Sequence, residues 1–274
     1  VKLATIRRGG ETTAARIEDD HAVEIQRVVG LRALLNRPDW RAFAEGADGP
    51  RHDLAELDFA PLVPRPDKIV CVGLNYANHI LEMGRELPEH PTLFAKFRSA
   101  LIGARDDIAL PAAVNQLDWE AEMAVIVGRR VRNVSVDDAP AAIAGFSVLN
   151  DVSARDWQNR TLQWLQGKTF EHSTPLGPWM VTTDEADGLS GAISCEVNGQ
   201  NMQLADVSDL VFGPAALVSY ISTVVTLMPG DVIATGTPGG VGAARTPPVF
   251  LKDGDVVSTR IAGIGECVNT CRAE

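Results

Sequence analysis

Three groups of charged side chains carry the chemistry this sequence could perform. The first lies in Asp118-Trp119-Glu120-Ala121-Glu122-Met123. On a β-strand, side chains two residues apart share a face, so Glu120 and Glu122 point together, with Asp118 beside them. Carboxylates held that close raise each other's pKa unless a cation sits between them, and hard oxygen donors suit Mg²⁺, Mn²⁺ or Ca²⁺. A solvent-facing acidic stripe has the same spacing. The second group follows the apolar run Val148-Leu149, where a buried strand delivers Asp151 into a cleft. Arg155 and Gln158 lie on one face of the helical turn after it, placed to donate to an oxyanion. An N-cap aspartate pairing locally with an arginine is the alternative. The third group is His79 and Glu82, spaced i, i+3 on a short helix. A carboxylate holding one imidazole nitrogen leaves the other free to take a proton from water, unless the two form an ordinary surface pair.

Two further positions belong with these. Lys168 stands in Gln166-Gly167-Lys168-Thr169-Phe170, a stretch otherwise uncharged, and could face a developing enolate or carboxylate; a solvated loop lysine fits equally. Thr237 lies in Gly236-Thr237-Pro238-Gly239-Gly240-Val241-Gly242, whose glycines let hydroxyl and backbone N–H groups approach a ligand carboxylate, or make a plain hairpin turn. Neither glycine segment has nucleotide-binding spacing. Leu162 stands where a Walker A loop ending in Gly167-Lys168-Thr169 needs glycine, and 236–242 is not G-x-G-x-x-G. No G-x-S-x-G is present to support a serine nucleophile.

The elements that must position these groups are short. Strands are expected at 1–4, 14–17, 22–25, 69–72, 120–127, 192–197, 232–235 and 256–261, and helices at 31–35, 40–44, 76–83, 136–144, 161–165 and 214–227. Strands and helices do not alternate, which argues against a doubly wound sheet or a (β/α)8 barrel and for a mixed, sheet-dominated α+β fold. Three prolines within 61–66 mark a linker between a small N-terminal α+β domain, 1–66, and a catalytic domain, 67–274.

The 274 residues are 45% hydrophobic and 22% charged, enough for a sizeable core, with a net charge of −11. Residues 1–66 are nearly balanced, so the acid surplus lies beyond them. Nucleic acid and anionic membrane surfaces are disfavoured as partners. An anionic small molecule must be collected locally, and a bound cation is one way to do it. Four cysteines without a C-x-x-C pair are read as reduced thiols of a cytoplasmic protein. The first residues lack an apolar h-region, so no signal peptide is expected. The apolar stretch 210–228 is interrupted by Gly213, Pro214 and Ser219 and reads as a packed helix, not a membrane span.

Taken together, these segments resemble the fumarylacetoacetate hydrolase family. The likeness runs from about Lys68 to Val268, with motifs in family order at 72–83, 91–96 with 101–111, 118–128, 145–158 continuing to 168–181, and 227–242. The resemblance implies that family's mixed β-sheet or β-roll catalytic fold with flanking helices, and a homodimer. It implies a divalent cation on Glu120, Glu122 and Asp151, with Mg²⁺ or Mn²⁺ foremost and Ca²⁺ admissible. It makes His79 and Glu82 a water-activating dyad, and Arg155, Gln158 and Lys168 substrate and oxyanion contacts. Thr237 then sits on a substrate-side loop. Fumarylacetoacetase itself has an additional acidic ligand where Val72 stands, and a different N-terminal domain. The sequence is therefore similar to the shorter branch of acylpyruvases, diketo-sugar-acid hydrolases, oxaloacetate decarboxylases and 2-hydroxyhepta-2,4-diene-1,7-dioate isomerases. Residues 171–174 look less typical than their surroundings.

The activity expected on these grounds is hydrolytic C–C cleavage of an acylpyruvate-like 2,4-diketo acid, with water activated by His79 and Glu82. Oxaloacetate decarboxylation and isomerisation use the same metal–enolate chemistry and remain the alternatives. A non-catalytic or repurposed biosynthetic homologue is a third.

Overall fold

The computed structural model describes residues 1–82, 84, 86–186 and 191–274; the side chains of His79 and Glu82 lie outside the described residues. At the start of the chain, strands Lys2–Arg8 and Glu11–Ile17 form a hairpin. Its two-residue turn holds Gly9 and Gly10 at φ 57° and 86°, a backbone that glycine adopts without strain.

This hairpin sits inside a long mixed sheet. Its order is Arg51–Asp53, His21–Ile25, Glu11–Ile17, Lys2–Arg8, Thr174–Thr182, Ile143–Asn150, Ala121–Val127, Val232–Ala234, Ile69–Gly73 and Thr92–Lys96. Lys2 and Leu3 pair with Val181 and Met180, so strands on both sides of the proline-rich segment share this sheet. A second sheet, ordered Gln200–Asp206, Ala192–Val197, Val256–Ile261, Gly265–Ala273 and Ile108–Leu110, packs against it.

Every residue of Ala121–Val127 is buried, and the two-residue period sorts its side chains between two cores. Met123, Val125 and Val127 pack with Ile193, Cys195 and Val257 of the second sheet. Ala124 and Ile126 pack with Leu31, Leu34, Cys71 and Leu149 on the opposite face. Burial of one such valine or isoleucine stabilises the fold by about 1.5–3 kcal/mol.

Some expected elements differ. Residues 136–144 do not form a helix: a short 3₁₀ turn, Ala139–Ala142, leads into strand Ile143–Asn150. That strand is buried on both faces, so small and apolar residues follow one another without the alternation of a half-exposed strand. The helix expected at 161–165 begins only at Leu165 and runs to Lys168. Thr174–Thr182 contains Pro175 and Pro178, which disguise a strand. Helices Ala77–Glu82 and Pro214–Val224 lie where the sequence places them, the second with Pro214 in its first turn. Among the described residues no helix is long and apolar enough to cross a membrane. All four cysteines are buried and free.

Candidate active site

Strand register brings the charged groups to one end of the central sheet. Ala121 pairs with Asn150, Ala124 with Ala234, and Ala234 with Cys71. Glu120, Asp151, Gly236 and the segment entering helix Ala77–Glu82 therefore emerge together. Glu120, Glu122 and Asp151 each present an oxygen, and these oxygens lie within 4.8 Å of one another. The three residues are 7%, 1% and 0% exposed, so they are not a solvent-facing stripe.

Asp151 does not cap a helix or pair with Arg155. Ala154 is the N-cap of Arg155–Gln158, and the Asp151 carboxylate accepts from Lys96 Nζ at 2.5 Å and Lys168 Nζ at 2.9 Å. Lys168 also donates to Glu120 Oε2 at 2.6 Å and is buried, so it is no solvated loop lysine. Two of its three N–H groups are thus engaged.

Burial pushes the Glu122 carboxyl well above the usual range; Asp151 and Glu120 add to the rise, and Lys168 and the Gly236 N–H only partly oppose it. For Asp151 burial acts in the same upward sense, but Lys168 and Lys96 outweigh it and the carboxyl is lowered. Burial works against the Lys168 ammonium, yet Asp151 and Glu120 raise its pKa. A carboxylate triad of which one member resists ionisation suits a cation that restores the charge balance. Its hard oxygens suit a divalent ion, and Glu120, Glu122 and Asp151 could hold one.

Arg155 borders the triad. Its Nε donates to Asp118 Oδ2 at 2.8 Å, and its Nη1 lies 2.7 Å from Glu120 Oε1 and 2.9 Å from Gln158 Oε1. Among the described residues its Nη2 is buried with no hydrogen-bond partner. A buried guanidinium nitrogen without an acceptor is costly unless a ligand oxygen meets it.

Asp118 does not stand in the triad. The strand breaks after it: Leu117–Asp118 pairs with Ser153–Ala154, and the ladder resumes only at Ala121. The alternation expected from 118 to 122 is therefore lost across Trp119 and Glu120. Thr237 lies in the turn whose first N–H, from Gly236, donates to Glu122 Oε2 at 2.8 Å. Its Oγ1 accepts from Gln203 Nε2 at 2.9 Å, which leaves the hydroxyl proton free to donate. His79 and Glu82 occupy helix Ala77–Glu82, but the geometry of their side chains lies outside the described residues. Asn75, just before that helix, donates to Thr235 O and Phe212 O and fixes the segment beside the glycine turn. Val72 is core.

Two residues of the site were missed from sequence. Lys96 ends the run Leu93-Phe94-Ala95 as a lone cation on an apolar strand, a signal that was available. Gln203 accepts from the Ala121 N–H at 2.9 Å from a strand distant in sequence, and nothing local marks it.

The chain is similar to known proteins over most of its length. A family model described as fumarylacetoacetate (FAA) hydrolase C-terminal matches residues 68–272. A mitochondrial oxaloacetate tautomerase of Bos taurus is 48% identical over 218 residues, covering 78% of this chain and 69% of the relative. The solved fumarylacetoacetate hydrolase of psychrophilic Exiguobacterium antarcticum superposes with a TM-score of 0.89 at 33% identity, covering 100% of this chain and 99% of that one. The 5-carboxymethyl-2-hydroxymuconate delta-isomerase of Mycobacterium smegmatis does so with a TM-score of 0.84 at 33% identity, covering 100% of both chains. With its mixed-sheet fold, its motif order and the matched span in agreement, the chain belongs to the fumarylacetoacetate hydrolase family.

Proposed function

We propose that this enzyme acts on 2-oxo acids and interconverts the keto and enol forms of an oxaloacetate-type dicarboxylic acid with the help of a divalent ion, Mg²⁺ foremost. The observation that carries the reading is the buried triad of Glu120, Glu122 and Asp151 beside Arg155 Nη2, which has no partner among the described residues. That arrangement calls for an oxygen-rich anionic ligand. The tautomerase named among the 48% identical relatives supports the choice of reaction.

The chain's own residues divide the work. Glu120, Glu122 and Asp151 would hold the ion, which supplies Lewis-acid polarisation of a carbonyl when bound. Arg155 Nη2 receives a substrate carboxylate oxygen, with Gln158 steadying Nη1. Lys168 stays cationic and turns its remaining N–H toward the charge that grows on the carbonyl oxygen during enolisation. The Thr237 hydroxyl donates to the other end of the substrate. His79, with Glu82 three residues on, accepts the carbon-bound proton and returns it.

Hydrolysis of an acylpyruvate-like diketo acid is the second reading. It is favoured by the His79/Glu82 pair, since an activated water is the step that tautomerisation does not need. Oxaloacetate decarboxylation shares the enolate. Homodimer formation and cytoplasmic residence, the latter resting on four buried free thiols, belong to the same proposal; the bovine relative is named as mitochondrial.

The test is metal-stripped protein with and without Mg²⁺ or Mn²⁺, assayed in parallel for oxaloacetate keto–enol exchange, oxaloacetate decarboxylation and acetylpyruvate cleavage. Metal-dependent exchange as the fastest of the three supports the proposal. Faster acetylpyruvate cleavage moves the assignment to hydrolase, and no metal-dependent turnover of either substrate removes both.

A further inference from the structure

Asp118 is fully buried, and its carboxylate accepts four N–H groups. Oδ1 accepts from Trp119 N at 2.9 Å and Gly242 N at 2.7 Å. Oδ2 accepts from Arg155 Nε at 2.8 Å and Ala243 N at 3.0 Å. Four donors fill the lone-pair directions of an ionised carboxylate, so Asp118 has none left for a cation.

What these donors belong to is informative. Gly242 and Ala243 close the glycine turn that carries Thr237, and Arg155 carries the Nη2 that has no partner among the described residues. The turn is fastened along its length to the segment around the triad. Gly236 N–H goes to Glu122, and Gln203 links Ala121 N–H to Thr237 Oγ1 and Pro238 O. Asp118 fastens the far end. A Cβ on Gly242 would lie 1.9 Å from Val249 O and 2.8 Å from Asp118 Oδ1, so the approach is too close for any other residue. Among the hydrogen-bond and ion-pair partners of Arg155, Glu120 belongs to the proposed cation site and Gln158 is neutral. Asp118 is the anionic partner that keeps the guanidinium aligned whether or not an ion engages Glu120.

We propose that Asp118 is a positioning residue for substrate recognition: one carboxylate locks Arg155 and the end of the glycine turn into a rigid unit, and substrate affinity depends on it while cation binding does not. The proposal rests on the reading that Arg155 Nη2 takes an anionic substrate oxygen.

Asp118→Asn tests it. Either orientation of the amide sets its NH₂ against two N–H donors, so Arg155 loses its alignment while the side-chain volume is kept. KM for oxaloacetate is expected to rise about tenfold or more, the scale of a charge-assisted hydrogen bond, with kcat changing by less than about threefold. Mn²⁺ affinity, titrated without substrate, is expected to stay within about twofold of the parent's. Arg155→Lys separates the two levels. If it raises KM but Asp118→Asn does not, the role of Asp118 falls and the reading of Arg155 stands. If Arg155→Lys leaves KM unchanged, that reading itself falls. A parallel loss of Mn²⁺ affinity in Asp118→Asn places Asp118 in the metal centre and overturns the proposal. Should the variant fail to fold, the parent protein decides by NMR of the Arg155 Nε–H. Protection from solvent exchange before any ligand is added supports the lock, and protection that arises only with oxalate refutes it.

Discussion

Glu122→Gln should make the metal-free protein more stable and the metal-loaded protein less so. Glu122, Glu120 and Asp151 present oxygens within 4.8 Å of one another, and one like-charge pair at that distance costs about 3.5 kcal/mol at an effective dielectric constant of about 20. Most of this is already offset. Asp151 contacts Lys96 and Lys168, and Glu120 contacts Arg155 and Lys168. Glu122 has the Gly236 N–H, which a glutamine oxygen can still accept. The residual cost relieved by the amide, met in the metal-free protein as repulsion and desolvation or as the proton that Glu122 takes up to avoid them, is therefore about 1–2 kcal/mol, a fraction of one pair. For 274 residues, at about 2.1 cal/mol/K per residue, that is a rise in Tm of about 2–4 °C with chelator present. With Mg²⁺ at about a hundred times its Kd the parent gains about 2.7 kcal/mol, or about 5 °C, whereas the variant has lost one of three anionic ligands and gains little. Melting curves in chelator and in Mg²⁺ should thus cross in rank. A variant that melts below the parent in chelator refutes the charge argument, and one that keeps the parent's Mg²⁺ shift removes Glu122 from the ligand set.

Three further outcomes follow from the same geometry. Lys96→Met leaves Asp151 with Lys168 alone in a pair whose side chains are 0% exposed, and should lower metal-free stability by about 3–5 kcal/mol in denaturant titration; a loss under about 1 kcal/mol shows that Lys168 suffices. Asp231 accepts from Lys68 N and Met228 N and pairs with Lys68 Nζ at 2.8 Å, beside the start of Val232–Ala234 and away from the triad. Asp231→Asn should cost about 1–3 kcal/mol of stability with kcat and KM intact, and a changed KM would show coupling along that strand. His79→Ala should abolish acetylpyruvate cleavage and spare oxaloacetate decarboxylation, which needs no attacking water; equal losses would make His79 common to both.

What the sequence revealed of the site follows the range of the interactions involved. Glu120 and Glu122 are legible because a two-residue spacing needs only a local strand, and Asp151 because it ends an apolar run. The position of Asp118 was misjudged because the same period was carried through Trp119, where pairing switches from Ser153–Ala154 to Ile143–Asn150. Lys96 meets a partner 55 residues away, and Gln203 one 82 residues away. Such contacts depend on how the sheet curls, which no spacing encodes. The mixed-sheet character was legible for the opposite reason: turn residues punctuate short strands all along the chain. Of strand Ile143–Asn150 only the apolar run before Asp151 was legible, because burial on both faces erases the alternation that would mark the rest.

The charge of the site bears on how a chain of −11 would attract the proposed anionic substrate. Asp118, Glu120, Glu122 and Asp151 are buried with Lys96, Lys168 and Arg155, four carboxylates facing three cations. With all ionised, the group carries one net negative charge, and a divalent ion on the triad makes it one net positive. Distant surface acids are screened beyond about 10 Å in ordinary salt, so the local sign governs the last stage of approach. The Asp118 charge is taken up by its four N–H donors, while Arg155 Nη2 meets no acceptor among the described residues. On the proposed reading, a substrate carboxylate there would meet a more positive surface than the sum of charges indicates. Removing the ion should weaken binding of an oxalate-type anion even though Arg155 and Lys168 remain in place.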